Sequence, residues 1–298
     1  MARIAHLSDI HFGANDPNIV AATIDWLKEK QPDLVIISGD LTQRAREGQF
    51  QDAADYLRAL RQNGHKLLVI PGNHDIPLYD VFRRFVSPLG RYKRHIAQDL
   101  CPWVETDEAA ILGINTARSL TIKDGRINRD QMGLIRQRFT GVAPSKTRIL
   151  VTHHPLFELP IGQGNELSEA VGRHEDALQA IADAGIHLTL AGHFHRTYAE
   201  AATKMVAEAG PTLVIQAGTA TSTRLRNQEP QSFNWLHVEQ GDRMELQVIV
   251  WNGEEFQRAS HVGFSLKEEQ WHSEELSTHE QTTEYFPAAN AQLTAVDR

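Results

Sequence analysis

Short apolar runs alternate along the chain with longer stretches whose apolar positions recur every three or four residues. The first run, Ile4-Ala5-His6-Leu7, reads as a strand, and residues 19–30, with Ile19, Ala22, Trp26 and Leu27 at helical spacing, read as a helix broken by Pro32. Leu34-Val35-Ile36-Ile37 is continuous and β-branched, the pattern of a strand buried on both faces. Residues 48–62 carry Phe50, Ala53, Ala54, Leu57 and Leu60 along one stripe, and Leu67-Leu68-Val69-Ile70 forms a third strand before Pro71 and Gly72 cut it off. Strand and helix in repeated alternation predict an α/β fold with a parallel sheet, and in such sheets ligands bind at the carboxyl ends of the strands.

Residues 108–115, 148–152 and 187–191 continue the strand series. Helices are expected over 128–139, where Asn128 is placed to cap the first turn, and over 174–184. Residues 213–215, 233–238 and 244–250 read as strands joined by short polar or glycine turns, which predicts a mainly antiparallel second sheet. From residue 267 onward Gln, Thr, Ser and Glu dominate, so 267–298 is expected to be a polar tail without a core of its own, leaving one domain over 1–266. Residues 76–103 are rich in Arg and aromatic side chains and are expected to form a cap beside the strand ends.

Composition narrows the function classes. The 298 residues are 41% hydrophobic and 23% charged, ordinary for a globular protein with a sizeable core. A net charge of −8 leaves no broad basic face for a nucleic-acid backbone, so no polymeric nucleic acid is expected as a partner. A single cysteine, Cys101, excludes an internal disulfide and points to a reducing compartment, the cytoplasm. No apolar run approaches the ~18 residues of a membrane span. Asp9 and His11 interrupt the exit of the first strand before the apolar core of a signal peptide could form. A homo-oligomer is left open.

The residues that follow the strands change the picture. Asp9 and His11 follow the first strand, Asp40 the second, and Asn73, His74 and Asp75 the third; His153 and His154 precede Pro155, and His193 and His195 close the series. Residues two apart in an extended chain share a face, so Asp9 and His11 are expected to meet at one spot. Mixed oxygen and nitrogen ligands without a thiolate suit Mn, Fe, Zn, Ni or Co rather than Ca or Mg alone. The set exceeds what one tetrahedral ion needs, and two ions sharing a bridging carboxylate would use it. His6, His65, His187, His237 and His261 read as structural histidines.

In this order, Asp-x-His, Gly-Asp, Gly-Asn-His-Asp, a His near Pro and Gly-His-x-His resemble the calcineurin-like metallophosphoesterase superfamily across residues 1–250. The resemblance implies a four-layer α-β-β-α sandwich of two mixed β-sheets flanked by helices, with a two-metal site at the strand ends. It implies that Asp9, His11 and His195 hold one ion, that Asn73, His153 and His193 hold the other, and that Asp40 bridges them together with a water or hydroxide. His74 resembles the family's non-ligand histidine, which meets the phosphoryl oxygen or the leaving group. The family's ligand usually sits two residues before a proline, which favours His153 and leaves His154 behind the ligands or in the substrate pocket.

Within the superfamily, Gly125-Arg126-Ile127-Asn128 and Gly218-Thr219-Ala220-Thr221 with Arg224 and Arg226 are similar to class III cyclic-nucleotide phosphodiesterases and glycerophosphodiesterases. What the resemblance implies is a dinuclear hydrolase of small phosphodiesters carrying two ions of Mn, Fe or Zn. A pyrophosphatase of a nucleotide-linked lipid or sugar is the second reading, and a non-catalytic interaction module on the same fold is the reading from another class. Arg83 and Arg84 are expected to meet a further phosphate, because a guanidinium pairs with such oxygens bidentately. Phe82, Phe85 and Tyr92 would supply an apolar wall. The competing reading of this segment is a surface helix whose arginines meet only solvent.

Overall fold

The computed structural model describes residues 1–121, 124–158, 171–172, 174–202, 210–225 and 229–278. The chain opens with β1 (Ala2–Leu7), α1 (Pro17–Lys30), β2 (Leu34–Ile37), α2 (Glu47–Gln62) and β3 (Leu67–Val69), followed by a 3-10 turn over Asn73–Asp75. Two short helices, α3 (Val81–Val86) and α4 (Gly90–His95), lead to β4 (Trp103–Glu105) and β5 (Ala109–Ile114). The alternation resumes with α5 (Arg129–Phe139), β6 (Thr147–Thr152), α6 (His174–Asp183) and β7 (Leu188–Ala191). β8 (Tyr198–Ala201), β9 (Leu213–Gln216), β10 (Ser232–Val238), β11 (Arg243–Trp251), β12 (Phe256–Lys267) and β13 (Gln270–Thr278) follow.

These strands form two mixed sheets, ordered β13-β12-β11-β10-β1-β2-β3 and β4-β5-β6-β7-β9-β8. Alternation along β1 and β2 divides their side chains between two cores. Ile4, Leu34 and Ile36 meet Ile149, Val151, Leu190 and Ile215 between the sheets. Ala5, Leu7, Val35 and Ile37 pack instead on Ile19, Leu27, Phe50 and Leu57 of α1 and α2. The outer face of the second sheet is covered by Ile135 and Phe139 of α5 and by Ala177 and Ile181 of α6. Each fully buried Leu, Ile or Phe contributes roughly 1.5–3 kcal/mol, so three continuous cores fix the four layers. This is the α-β-β-α sandwich expected.

Two expectations are corrected. The late strands do not make a second sheet of their own. β9 joins the second sheet parallel to β7, whereas β10 pairs antiparallel with β1 and extends the first sheet. The reason lies in β10 itself. Phe233 and Trp235 face the helices while Leu236 and Val238 face the other sheet, so the strand is apolar on both sides and needs a central place. The folded body also continues beyond residue 266. β13 forms the edge of the first sheet, and Trp271 is buried in the inter-sheet core with its indole N–H donated to the Pro211 carbonyl at 3.0 Å. The polar composition that suggested a tail is that of an edge strand, where charge blocks further pairing. Residues 279–298 lie outside the described residues.

The segment over 76–103 is partly scaffold. Tyr92, expected on an apolar wall, is fully buried against α2, and its hydroxyl donates to the Val69 carbonyl at 3.1 Å. Glu47 at the start of α2 gathers Arg91, Arg94 and His95 of α4 at 2.6–3.4 Å.

Candidate metal centre

Every candidate ligand follows the carboxyl end of a parallel strand: β1, β2 and β3 in the first sheet, β6 and β7 in the second. The backbone there is unusual. Asp9, His11, Asp40, His193 and His195 have φ of 53°, 55°, 52°, 80° and 56°. This left-handed region costs a residue with a Cβ free energy, and it persists where surrounding contacts enforce it. Asp9 and His11 are therefore not aligned by an extended strand, as the sequence suggested. β1 stops at Leu7, and two left-handed residues curl the chain so that both side chains arrive together. The curl is held by Asp9 N–H on the Gly39 carbonyl at 3.1 Å and His11 N–H on the Asp40 carbonyl at 3.0 Å. The hydroxyls of Thr219 and Thr221 donate to the carbonyls of Asp9 and Ile10, each at 2.7 Å. Two glycines permit the crowding: a Cβ on Gly72 would stand 2.1 Å from Asp40 Oδ1, and one on Gly192 would stand 2.7 Å from Asp9 Oδ2.

The side chains meet in two adjoining groups. In the first, His195 Nε2 lies 3.1 Å from both Asp9 Oδ1 and His11 Nε2, and His11 Nε2 lies 3.5 Å from Asp9 Oδ1. In the second, Asn73 Oδ1 lies 3.0 Å from His153 Nε2 and 3.1 Å from His193 Nδ1. Asp40 stands between them, its Oδ2 at 3.7 Å from His11 Nε2 and 3.3 Å from His153 Nε2. Atoms that share an ion at bonds of about 2.1 Å lie roughly 3.0–3.4 Å apart. Spacings of 3.0–3.1 Å in both groups fit such an ion, the 3.5 Å between His11 and Asp9 lies just outside that range, and the donor types are those expected of Mn, Fe or Zn ligands.

Burial and charge support the same fit. Asp9, His11, Asp40, His153 and His195 are all buried. Burial pushes the Asp40 carboxyl up, but the charges of His153 and His74 pull it down further and hold it well below the usual carboxylate range. Burial likewise works against the Asp9 anion, and His195 and His11 outweigh it. Burial disfavours a charged His153, yet the adjacent Asp40 carboxylate raises it to about 9. Two buried carboxylates are thus held ionised by the positive charge of neighbouring imidazoles, a role that divalent ions would take over on binding.

His74 and Asp75 differ from their neighbour Asn73. His74 Nδ1 lies 2.7 Å from the Gln43 carbonyl, so Nδ1–H donates there and Nε2 is left for other use. Its backbone N–H donates to Asp40 Oδ1 at 2.8 Å. Asp75 turns away from the ligands. It accepts the N–H groups of Leu41, Thr42 and Gly72 at 3.2, 2.9 and 2.9 Å and the Thr42 hydroxyl at 2.9 Å. It therefore brackets the two loops that carry Asp40 and Asn73.

His154 is buried beside His193, ring centroids 4.6 Å apart, and it can form a ligand trio with His153 and His193. Its Nδ1 lies 2.7 Å from the Thr116 hydroxyl, which also accepts the His154 N–H at 3.3 Å. His153 Nδ1 is bound to the Ser38 carbonyl at 2.8 Å, which leaves Nε2 facing Asp40 and Asn73.

A cavity of about 480 Å³ opens over the cluster, floored by His11, Asn73, His74 and His195. His154 is not among its described lining residues. The arginine expectation is also corrected. Arg84 borders the cavity but is buried, and its guanidinium donates to the carbonyls of Ser119 at 2.7 Å, Pro77 at 3.1 Å and Thr121. Arg83 is paired with Asp80 on the surface at 2.7 Å. The arginines placed at the cavity rim are Arg44, which the sequence reading missed, and Arg224. Nothing in the local pattern marks Arg44 beyond its following Asp40 by four residues. Arg226, also considered in the sequence, lies outside the described residues.

A family model described as calcineurin-like phosphoesterase matches residues 2–197. A Synechococcus sp. protein named a probable cyclic nucleotide phosphodiesterase is 27% identical over 213 residues, covering 65% of this chain and 74% of that protein. The glycerophosphodiester phosphodiesterase GpdQ of Enterobacter lignolyticus is 26% identical over 171 residues, covering 53% of this chain and 58% of GpdQ. Among solved structures, the purple acid phosphatase PPD1 of yellow lupin superposes with a TM-score of 0.63 at 13% identity, over 86% of this chain and 52% of the lupin chain. A dimetal phosphatase from Danio rerio superposes with a TM-score of 0.62 at 11% identity, over 89% of this chain and 99% of that one. At these identities the two structures bear on the fold alone.

Proposed function

The chain belongs to the calcineurin-like phosphoesterase family, and from that premise we propose that it is a dinuclear metal-dependent phosphodiesterase acting on small phosphodiesters of the cyclic-nucleotide or glycerophosphodiester type. The observation that carries this reading is Asp40 Oδ2, set between the two ligand groups at 3.7 Å from His11 and 3.3 Å from His153. In this reading Asp9, His11 and His195 would hold one ion, Asn73, His153 and His193 would hold the other, and Asp40 would serve both. His153 is preferred to His154 because its Nδ1–H donates to the Ser38 carbonyl at 2.8 Å, which leaves its Nε2 3.0 Å from Asn73 Oδ1 and 3.3 Å from Asp40 Oδ2. The phosphodiesterase names of the Synechococcus and Enterobacter relatives point the same way. Every position of the ligand motif is filled, which speaks against a non-catalytic module.

Bound there, two ions supply Lewis acidity, an acidified water and charge neutralisation for phosphoryl oxygens. The chain's own groups do the rest. The His74 N–H fixes Asp40 Oδ1, so that Oδ2 stays aimed between the groups. The Gln43 carbonyl holds His74 Nδ1–H and so directs Nε2 to the substrate. A proton on that Nε2 would meet the phosphoryl or leaving-group oxygen, where negative charge grows in the transition state. Arg44 and Arg224 at the rim would draw in the anionic diester. The lone thiol, half-buried Cys101, suits the cytoplasm as the place of this reaction.

Chelation tests the proposal. The stripped chain should hydrolyse bis-p-nitrophenyl phosphate near the background rate, and Mn, Fe or Zn should restore turnover by about 10²-fold or more. Equal hydrolysis before and after chelation would rule the reading out.

A further inference from the structure

Among the described residues most of the large exposed apolar side chains gather in one stretch beside the metal site. Leu78, Tyr79, Val81, Phe82, Phe85 and Val86 are 37–78% exposed within nine consecutive residues. Patches of this kind on a folded protein mark places where something apolar binds. This one is continuous with the cavity. Leu78 and Tyr79 line the same space as Asn73 and His74, and Leu225, 43% exposed, lines it too. Ile76 joins them at the inner end. The cavity thus has a ligand floor, two arginines at its rim and an apolar wall.

We propose that the site is built for a phosphodiester carrying an apolar ester arm, and that Leu78, Tyr79 and Leu225 form the shelf on which this arm lies. The inference rests on the phosphodiesterase reading alone and departs from the cyclic-nucleotide and glycerophosphodiester types in the arm it assigns. A cavity of about 480 Å³ falls in the range of ~300–1,000 Å³ that holds whole organic ligands. A phosphate with a small polyol arm would leave the apolar wall wet and would find few hydrogen-bond partners along it. A hydrocarbon arm covers that wall.

The shelf is held in place before substrate arrives. Arg84 donates to the Pro77, Ser119 and Thr121 carbonyls and so pins the residue that immediately precedes Leu78. The Arg44 guanidinium stands over the Tyr79 ring, 5.4 Å from its centroid, and fixes the ring by a cation–π contact. No ion pair engages Arg44 among the described residues, so its charge still faces the cavity. A surface ordered in advance loses little freedom on binding, and more of the contact then appears as affinity.

The test is a series of methylphosphinates, which carry methyl, butyl or octyl arms on carbon and have no ester bond to cleave, titrated calorimetrically into the metal-loaded full chain. Complete burial of a methylene is worth about fourfold in affinity, and a one-sided shelf about twofold. Kd should therefore fall at least about tenfold from the methyl to the octyl arm. In the Leu78→Ser, Leu225→Ser double variant, whose changes fall on exposed side chains, the fall should shrink to about twofold or less. A Kd independent of arm length in the parent chain overturns the proposal, as does an undiminished fall in the variant. If the parent chain shows no dependence and sediments as a dimer, a second copy covers the shelf instead. Turnover of methyl p-nitrophenyl phosphate is followed in parallel, and its absence would count against the phosphodiesterase reading while leaving the binding series to decide the shelf.

Discussion

At the residue scale, His74 and Asn73 are neighbours in the chain with different work to do. Asn73 Oδ1 sits among the imidazoles of His153 and His193, while His74 is tied by Nδ1 to the Gln43 carbonyl. His74→Ala should therefore keep its metal content and lose turnover by about 10²–10⁴-fold, the range of a positioned acid–base group. Elemental analysis alongside steady-state kinetics checks this, and metal departing with the activity would make His74 a ligand. The identities of the clustered residues were legible because each follows an apolar run and a turn. Their conformations were not. The curl that carries the left-handed Asp9 and His11 is held by distant partners such as Thr219 and Thr221, more than two hundred residues from Asp9. Asp75 was readable as a metal-capable carboxylate, yet the amide groups of Leu41, Thr42 and Gly72 claim it.

At the scale of elements, α3 shows what one residue of helical phase decides. Arg83 faces outward to Asp80, and Arg84 reaches inward to three carbonyls. Removing a buried guanidinium leaves its acceptors without partners, at roughly 1–3 kcal/mol for each group that water cannot reach. Arg84→Ala should thus lower unfolding stability by about 2–3 kcal/mol, whereas Arg83→Ala, which breaks only a surface pair, should change it by less than about 1 kcal/mol. Denaturant unfolding compares the two, and equal effects would contradict the assignment of Arg84 as a clamp. Adjacent arginines in a polar segment read alike in sequence because the direction each takes depends on what lies below. The helices were more legible. Asn128 caps α5 as its position suggested, accepting the Gln131 N–H at 2.8 Å. β13 was missed because Trp271 is its one large buried apolar residue, and an edge strand needs little more.

At the scale of the molecule, the site belongs to neither sheet alone. Asp9, His11, Asp40 and Asn73 follow strands of the first sheet, and His153, His193 and His195 follow strands of the second. The inter-sheet core of Ile4, Ile36, Val151 and Leu190 sets the distance at which they face each other. The layer order was legible from the strand–helix alternation together with the family resemblance. The placing of β10 beside β1 was not, because it pairs residues such as Ala5 and Trp235 that no local pattern connects. Asp40 is where the sheets are joined chemically, with His11 on one side and His153 on the other. Elemental analysis of metal-reconstituted Asp40→Ala beside the parent chain tests this most directly. The parent chain should hold two ions and the variant should lose metal from both positions; a variant that still holds two would contradict the bridging role of Asp40.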